Sequence, residues 1–188
     1  MEEARRPGHR AGLSRDGVIA AARDLVAVRG LDGLSMRGLA AALGVAPNAL
    51  YSHVADKDGL IDLLLDDALR GIEVPAAGTD AVDGLRQIMT STYRMLSIRP
   101  DLVPLYLVRQ GSRGPNAQRL GGIMNALLAE AGVPDDGRQP AIRVLLVHTI
   151  GSAAFATPGG TGVLTSDQLL RTFQDGLGWL LTGITAVR

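Results

Sequence analysis

The sequence lacks cysteine and is poor in aromatic residues, and these shortages exclude several classes of protein. Without cysteine there can be no disulfide framework and no thiolate nucleophile. The three histidines (His9, His53 and His148) are far apart in the chain, so we expect no metal site and no cofactor. No apolar run is long enough to span a bilayer, and the charged first ten residues lack the apolar core of a signal peptide. We therefore expect a soluble, cytoplasmic protein.

Charge gives a local signal rather than a global one. The formal net charge is zero, which offers no general argument for binding nucleic acid. In the segment 1–12, however, Arg5, Arg6 and Arg10 outnumber two glutamates, which predicts a flexible basic arm. A disordered tail that only aids solubility is an equally good interpretation. Lys57 is the single lysine beside eighteen arginines, which suggests that a lysine is needed at this position. An incidental surface position is the alternative.

Apolar residues recur at helical spacing along the whole chain, and no segment shows the alternation of a strand. The fold class is therefore all-α, with about nine helices. We expect Asp62, Asp66 and Asp67 to lie on the solvated side of the fourth helix. The expected helices are at 15–29, 36–43, 47–54, 57–73, 80–98, 101–110, 116–131, 140–156 and 167–184.

The segment 74–79 contains proline and glycine and interrupts the helical pattern, so we place the domain boundary there. The expected organisation is a small domain at 13–73 and a larger helical bundle at 80–188.

The segment 35–57 has the pattern of a helix-turn-helix. Ser35 can cap the first helix, and Gly44 can end it in a left-handed conformation. Pro47 suits the first position of the second helix, whose buried side is formed by Leu50 and Val54. A helix of this kind can enter the major groove of DNA, where the base edges are distinguishable.

The stretch LSMRGLAAALGVAPNALYSHVADKDGLIDLLL resembles the DNA-binding domain of the TetR (tetracycline repressor) family of bacterial transcriptional regulators. Within that family, YSHVADKDGLID is most similar to the tetracycline-repressor subgroup. The resemblance implies three N-terminal helices that hold the motif, a fourth linking helix, and a C-terminal domain for ligand binding and dimerisation.

The outward side of the second helix supplies the candidate DNA contacts. Asn48 could bond adenine and Ala49 could touch a thymine methyl, whereas Tyr51 and His53 suit phosphates. The resemblance also implies contacts from Arg37 to a phosphate or a guanine and from Lys57 to a phosphate. Simple surface exposure, or packing of Tyr51 on the first helix, remains an alternative. The full predicted set is Arg37, Pro47, Asn48, Ala49, Tyr51, Ser52, His53 and Lys57.

The C-terminal part is expected to supply a homodimer and an effector site. The last two helices, at about 138–156 and 167–184, are apolar and contain small residues that allow close approach. An internal core role is the alternative for these helices. Bundles build ligand sites between facing helices, and several bulky or polar residues interrupt the apolar pattern there, although each could instead be core or surface. The candidate pocket residues are Met89, Tyr93, Tyr106, Arg109, Met124, His148 and Phe155.

These patterns together favour a ligand-responsive regulator. It would bind a palindromic double-stranded DNA operator as a homodimer, act as a repressor, and be released by a small, largely apolar effector. The resemblance to the tetracycline-repressor subgroup implies a metal-chelated drug bound partly through a pocket histidine. The stretch RPDLVPLYLVRQGSRG has no histidine and His148 stands alone, so a magnesium–tetracycline complex is not expected. Two alternatives are an enzyme using His148 with Ser152 and a helical interaction module without DNA binding. The first lacks an acidic partner and a nucleophile turn, so we expect no enzyme; the intact motif argues against the second.

Overall fold

The computed structural model describes residues 13–111, 113–156 and 164–186, and this part of the chain consists of helices joined by turns and loops, without a strand. It contains nine α-helices and two short 3₁₀ helices, so the predicted all-α fold is confirmed. The chain divides into two compact units, one through Leu60 and one from Ile61. The predicted basic arm at 1–12 lies outside the described residues. None of the described helices is long and apolar enough to cross a membrane.

The first unit contains three helices and the start of a fourth: α1 (Arg15–Arg29), α2 (Met36–Leu43), α3 (Pro47–Leu50) and α4 (Lys57–Ala68). Serine caps are present at α1 and α2, and the one at α2 is the predicted Ser35. Ser14 Oγ accepts a hydrogen bond from the Gly17 N–H at 3.1 Å, and Ser35 Oγ accepts one from Gly38 at 3.0 Å. The core of this unit consists of Val18, Ile19, Ala22, Leu25, Val26, Leu34, Leu39, Ala40, Leu50, Val54 and Leu60.

The turn between α2 and α3 has the predicted glycine geometry. Gly44 has φ 65° and ψ 30°, a left-handed conformation, and its N–H bonds to carbonyls in the last turn of α2. Val45 N–H also donates to the Ala40 carbonyl at 3.0 Å. These bonds satisfy the free carbonyls at the end of α2 and fix the direction of the chain into α3.

Helix α3 is shorter than the predicted 47–54 and ends at Leu50. The reason is local, because the Ser52 hydroxyl donates to the Ala49 carbonyl at 2.8 Å. The His53 N–H, which would bond that carbonyl in an α-helix, bonds the Leu50 carbonyl at 2.9 Å instead. The chain therefore tightens into a turn over residues 51–53.

The second unit is a bundle built around α5. It contains most of α4, a 3₁₀ turn at Leu69–Gly71, α5 (Ala81–Ile98) and a 3₁₀ turn at Pro100–Leu102. It continues with α6 (Val103–Arg109), α7 (Pro115–Glu130), α8 (Asp135–Phe155) and α9 (Ser166–Ala186). Helix α5 packs against α7, α8 and α9, and α8 also packs against α6, α7 and α9.

The division between the compact units falls inside α4 rather than at 74–79. Leu65, Leu69 and Ile72, which precede that segment, belong to the same buried cluster as α5 and α7. Because α4 is continuous across the division, its first four residues belong to one unit and its remainder to the other. A functional division into a DNA-binding part at 13–73 and a ligand-binding part at 80–188 stays a proposal.

Helix α8 begins at Asp135, five residues before the expected start at Pro140. Asp135 and Asp136 occupy its first turn, where negative charge complements the helix dipole. The Gly137 N–H bonds the Pro134 carbonyl at 3.0 Å, so this turn is already formed before the proline. The last helix is capped by Thr165, whose hydroxyl accepts from the Gln168 N–H at 3.3 Å.

Candidate DNA-binding surface and ligand cavity

The predicted DNA contacts form an exposed surface around α3. Arg37, Pro47, Asn48, Ala49, Tyr51, Ser52 and Lys57 are exposed and His53 is half-buried. Leu50 and Val54, which were expected to face inward, are buried. The short helix is therefore held by its apolar side, and its polar side is left open to solvent.

The two cations of this surface are available for an external partner. Neither Arg37 nor Lys57 makes an ion pair or a side-chain hydrogen bond within the described residues. Lys57 begins α4, and the preceding Asp56 caps that helix by accepting from the Gly59 N–H at 2.7 Å. Ser52 is more restricted, because its hydroxyl proton is already donated to Ala49. Its oxygen can accept a hydrogen bond, but the hydroxyl is not a free donor.

The second unit encloses an apolar cavity of about 190 Å³ between α5, α7 and α8. Its walls are mostly aliphatic and thioether side chains, and none of its lining residues is charged. The lining residues are Leu69, Ile88, Met89, Thr92, Leu96, Tyr106, Gln110, Gly111, Ala117, Leu120, Gly121, Met124, Ile142, Leu146 and Ile150.

An outer groove of about 370 Å³ adjoins this inner cavity. The two share the wall formed by Tyr106, Gln110, Gly111, Ile142, Leu146 and Ile150. The groove adds the polar side chains of Gln139 and Arg143. Cavity and groove together exceed the lower limit of roughly 300 Å³ that is typical of small-molecule sites.

Three of the seven candidate pocket residues line the inner cavity: Met89, Tyr106 and Met124. Arg109 lies outside it, and its guanidinium is paired with the Asp62 carboxylate, with Nε 2.8 Å from Oδ1. Phe155 is 90% exposed and lines neither the cavity nor the groove.

The remaining two candidates, Tyr93 and His148, stack on the Phe173 ring outside the cavity lining. The Tyr93 and Phe173 rings are stacked with centroids 4.3 Å apart, and the other partner of Phe173 is His148 at 5.3 Å. A ring nitrogen of His148 also lies 3.1 Å from the Phe173 carbonyl oxygen. These residues join α5, α8 and α9 and do not line the cavity, so their geometry is that of packing residues.

Tyr106 connects the cavity to α4. Its ring lines both the inner cavity and the outer groove, and its hydroxyl donates to the Leu65 carbonyl in α4 at 2.6 Å. Burial raises the pKa of the Tyr106 hydroxyl, and the nearby Asp66 carboxylate adds to the increase. The hydroxyl therefore stays protonated and remains a donor at neutral pH.

Asp66 is a structural residue, and the prediction that it is solvated is wrong. It is buried, and its carboxylate accepts from the N–H groups of Asn116 at 3.2 Å and Ala117 at 3.0 Å. The Asn116 side-chain amide also donates to it at 3.0 Å. Asp66 thus caps the start of α7 from another helix, a role that no short-range pattern could reveal.

Within the described residues, no group of three or more histidine, aspartate or glutamate side chains is placed to hold a metal ion.

Comparisons with known proteins agree with this architecture. Residues 18–64 match the family described as bacterial regulatory proteins, tetR family. The chain is 45% identical over 74 residues to the HTH-type transcriptional repressor DrrR1 of Streptomyces coeruleorubidus, a match covering 38% of this chain and 27% of that protein. It is 39% identical over 89 residues to the class D tetracycline repressor protein of Escherichia coli, covering 46% and 41%.

A solved structure supports the fold over nearly the whole chain. A TetR variant from Acinetobacter baumannii AYE in complex with minocycline superposes with a TM-score of 0.79 at 26% identity. The superposition covers 94% of this chain and 99% of that one. The chain spans about a quarter to a half of the length of the curated relatives it matches. These relatives are named as regulators and repressors, in agreement with the expectation that the chain is not an enzyme. Residues 18–64 therefore form a helix-turn-helix domain of the TetR family of bacterial transcriptional regulators, within an all-helical chain that shares its fold with a solved TetR structure.

Proposed function

We propose that this protein is a ligand-responsive transcriptional repressor that binds a palindromic DNA operator as a homodimer. A small, largely apolar effector would release it from the operator. The observation that carries the proposal is Tyr106, whose ring lines the cavity while its hydroxyl bonds the helix that continues from the DNA-binding motif. A ligand that moves this ring changes the support of α4.

The DNA-binding part of the proposal rests on the exposed side of α3. Asn48 can donate and accept at an adenine edge, and the Ala49 methyl can meet a thymine methyl. Tyr51 and His53 flank the helix end and suit phosphate contacts, which set the register on the duplex. Arg37 and Lys57, which have no internal ion pair among the described residues, add positive charge for phosphates.

The homodimer is supported by exposed apolar side chains on α8 and α9. Phe155 is 90% exposed at the end of α8, and Trp179 is 77% exposed on α9. Gly183, one turn after Trp179 on α9, has open space around it, which permits close helix approach. A second copy that covers these faces in a four-helix arrangement would satisfy them. A two-fold dimer would then present two recognition helices about 34–36 Å apart, one turn of DNA.

Effector release requires that the ligand bind the two arrangements of α4 with different affinity. In the structure α4 is tied to the bundle at three points: Asp62 to Arg109, Leu65 to Tyr106, and Asp66 to the start of α7. Ligand in the cavity would act first on Tyr106. The effector is expected to be largely apolar because the inner cavity has no charged lining residue. The minocycline complex shows that the Acinetobacter protein binds a ligand, and nothing about which ligand suits this chain.

Selection from a random duplex pool tests DNA binding for an operator of any sequence. We expect the purified full-length protein to enrich a palindromic site and to retard it in a gel at moderate salt. The double variant Asn48→Ala, Tyr51→Ala should lose most of this affinity. The variant Arg119→Gln, which alters an exposed arginine of the second unit, is the matched control and should bind as the unmodified protein does.

Two results would overturn the proposal. One is the absence of any enriched duplex at moderate salt. The other is unchanged operator affinity in the double variant, which would show that α3 is not the recognition element. Lys57→Ala gives a further check, because loss of one phosphate contact should reduce the slope of binding against salt by about 1.

A further inference from the structure

We propose that the effector is a small amphipathic carboxylate. Its hydrocarbon part occupies the inner cavity, and its carboxylate binds Arg143 in the outer groove. This inference rests on the proposed function, because it names the class of ligand for the same site.

The inner cavity suits hydrocarbon and disfavours charge. The two hydroxyl groups in its wall are already used as donors, by Thr92 to the Ile88 carbonyl at 2.9 Å and by Tyr106 to the Leu65 carbonyl. A carboxylate placed there would lose its hydration without gaining a charged partner, which is costly. The charged end of a ligand must therefore remain in the outer groove.

The outer groove offers a single cation. Arg143 is the one charged residue among those that line either the cavity or the groove in the described chain. It makes no ion pair and no hydrogen bond within the described residues. The residues one helical turn away, Gln139 and Val147, are uncharged, so nothing on α8 at that spacing competes for its guanidinium. Arginine binds carboxylate with two parallel hydrogen bonds.

The order of residues along α8 matches the two ends of such a ligand. Gln139, Arg143, Leu146 and Ile150 follow at spacings of four, three and four, so they share one helix face. Polar groups stand at the start of this face. Its later residues, Leu146 and Ile150, line the inner cavity as well.

The same arrangement argues against other ligand classes. A cationic ligand would be repelled by Arg143, and neither the cavity nor the groove has an acidic lining residue to attract it. A ligand with two or more negative charges would need a second free cation, and Arg109 on α6 is already paired with Asp62. A single negative charge therefore fits best.

Calorimetric titration of the full-length protein with decanoate, below its micelle concentration, tests this inference. Decanol has the same chain without the charge, and decyltrimethylammonium reverses the charge. We expect decanoate to bind on the order of tenfold more tightly than decanol, because a charge-assisted pair at a solvated rim adds a moderate gain. The cationic probe should bind weakest. Arg143→Gln should remove the advantage of decanoate and leave decanol unchanged, whereas Arg119→Gln should change neither.

Each other outcome contradicts the inference in a distinguishable way. Equal binding of decanoate and decanol, unaffected by Arg143→Gln, would leave an apolar effector site in place and refute only the role of the charge. An equal loss in Arg143→Gln and Arg119→Gln would show non-specific attraction. If no probe binds, the inference is wrong, and the operator selection decides the proposed function separately. Thermal melting of each variant checks that it is folded.

Discussion

Tyr106→Phe isolates the bond between the cavity wall and α4. The substitution keeps the ring that lines the cavity and removes only the hydroxyl, which donates to the Leu65 carbonyl at 2.6 Å. A buried hydrogen bond contributes about 1 kcal/mol net, with a range of roughly 0.5–1.5 kcal/mol. We therefore expect the free energy of unfolding to fall by about 1 kcal/mol.

The same change should be visible locally as faster hydrogen exchange. A loss of about 1 kcal/mol raises the population of locally open states roughly fivefold, so amides over 61–71 should exchange about fivefold faster. Mass spectrometry of peptides from this segment measures the effect, together with denaturant unfolding.

Tyr93→Phe is the matched control for Tyr106→Phe. Tyr93 is also buried, but its hydroxyl makes no hydrogen bond within the described residues and its ring stacks on Phe173 away from the cavity. This variant should leave exchange over 61–71 unchanged. Unchanged exchange in Tyr106→Phe, or an equal increase in both variants, would refute the argument that Tyr106 supports α4.

Three further changes test other parts of the structure. Gly114→Ala would place a Cβ in steric conflict with the Asp66 carboxylate, so the cap on α7 must shift. We expect the free energy of unfolding, measured with denaturant, to fall by about 1–2 kcal/mol. Gly122→Ala is the control and should cause no loss, because its Cβ has open space. In Gly44→Ala the new Cβ would contact no neighbour, but alanine would have to adopt a left-handed conformation. Thermal unfolding should therefore show a loss of stability of about 1 kcal/mol, and an unchanged stability would contradict the turn geometry. Burial raises the pKa of Tyr106 above its ordinary value of 10.0, so the folded state keeps the proton to a higher pH than the unfolded state does. The free energy of unfolding should therefore fall as pH rises above about 10. Unfolding measured across this pH range should show a smaller fall in Tyr106→Phe.

Local signals predicted the helix-turn-helix with good accuracy, but they overestimated the length of its second helix. The caps at Ser14 and Ser35 and the turn at Gly44 involve residues three or four positions apart, which a sequence displays directly. The end of α3 depends on a competition for one carbonyl, between the Ser52 hydroxyl and the His53 N–H. Residue type alone does not decide which of two donors prevails.

The candidate pocket was predicted in part, because spacing shows which helix face a residue occupies but not what lies opposite. Met89 and Met124 line the cavity as expected. Tyr93 and His148 were equally reasonable candidates, yet both stack on Phe173. Arg143, which carries the proposed carboxylate site, has no distinguishing signal in the sequence, and only its position in the outer groove sets it apart from other exposed arginines.

The sequence by itself determined the helical class and the helix-turn-helix, because each depends on contacts within a few residues or on periodicity along one element. Tertiary structure decided what joins the cavity to α4. Tyr106 meets Leu65 across 41 positions, and Asp66 meets Ala117 across 51. Contacts at such separation arise only when packing of the apolar faces brings the helices together, so a buried carboxylate and a solvated one look the same in the sequence.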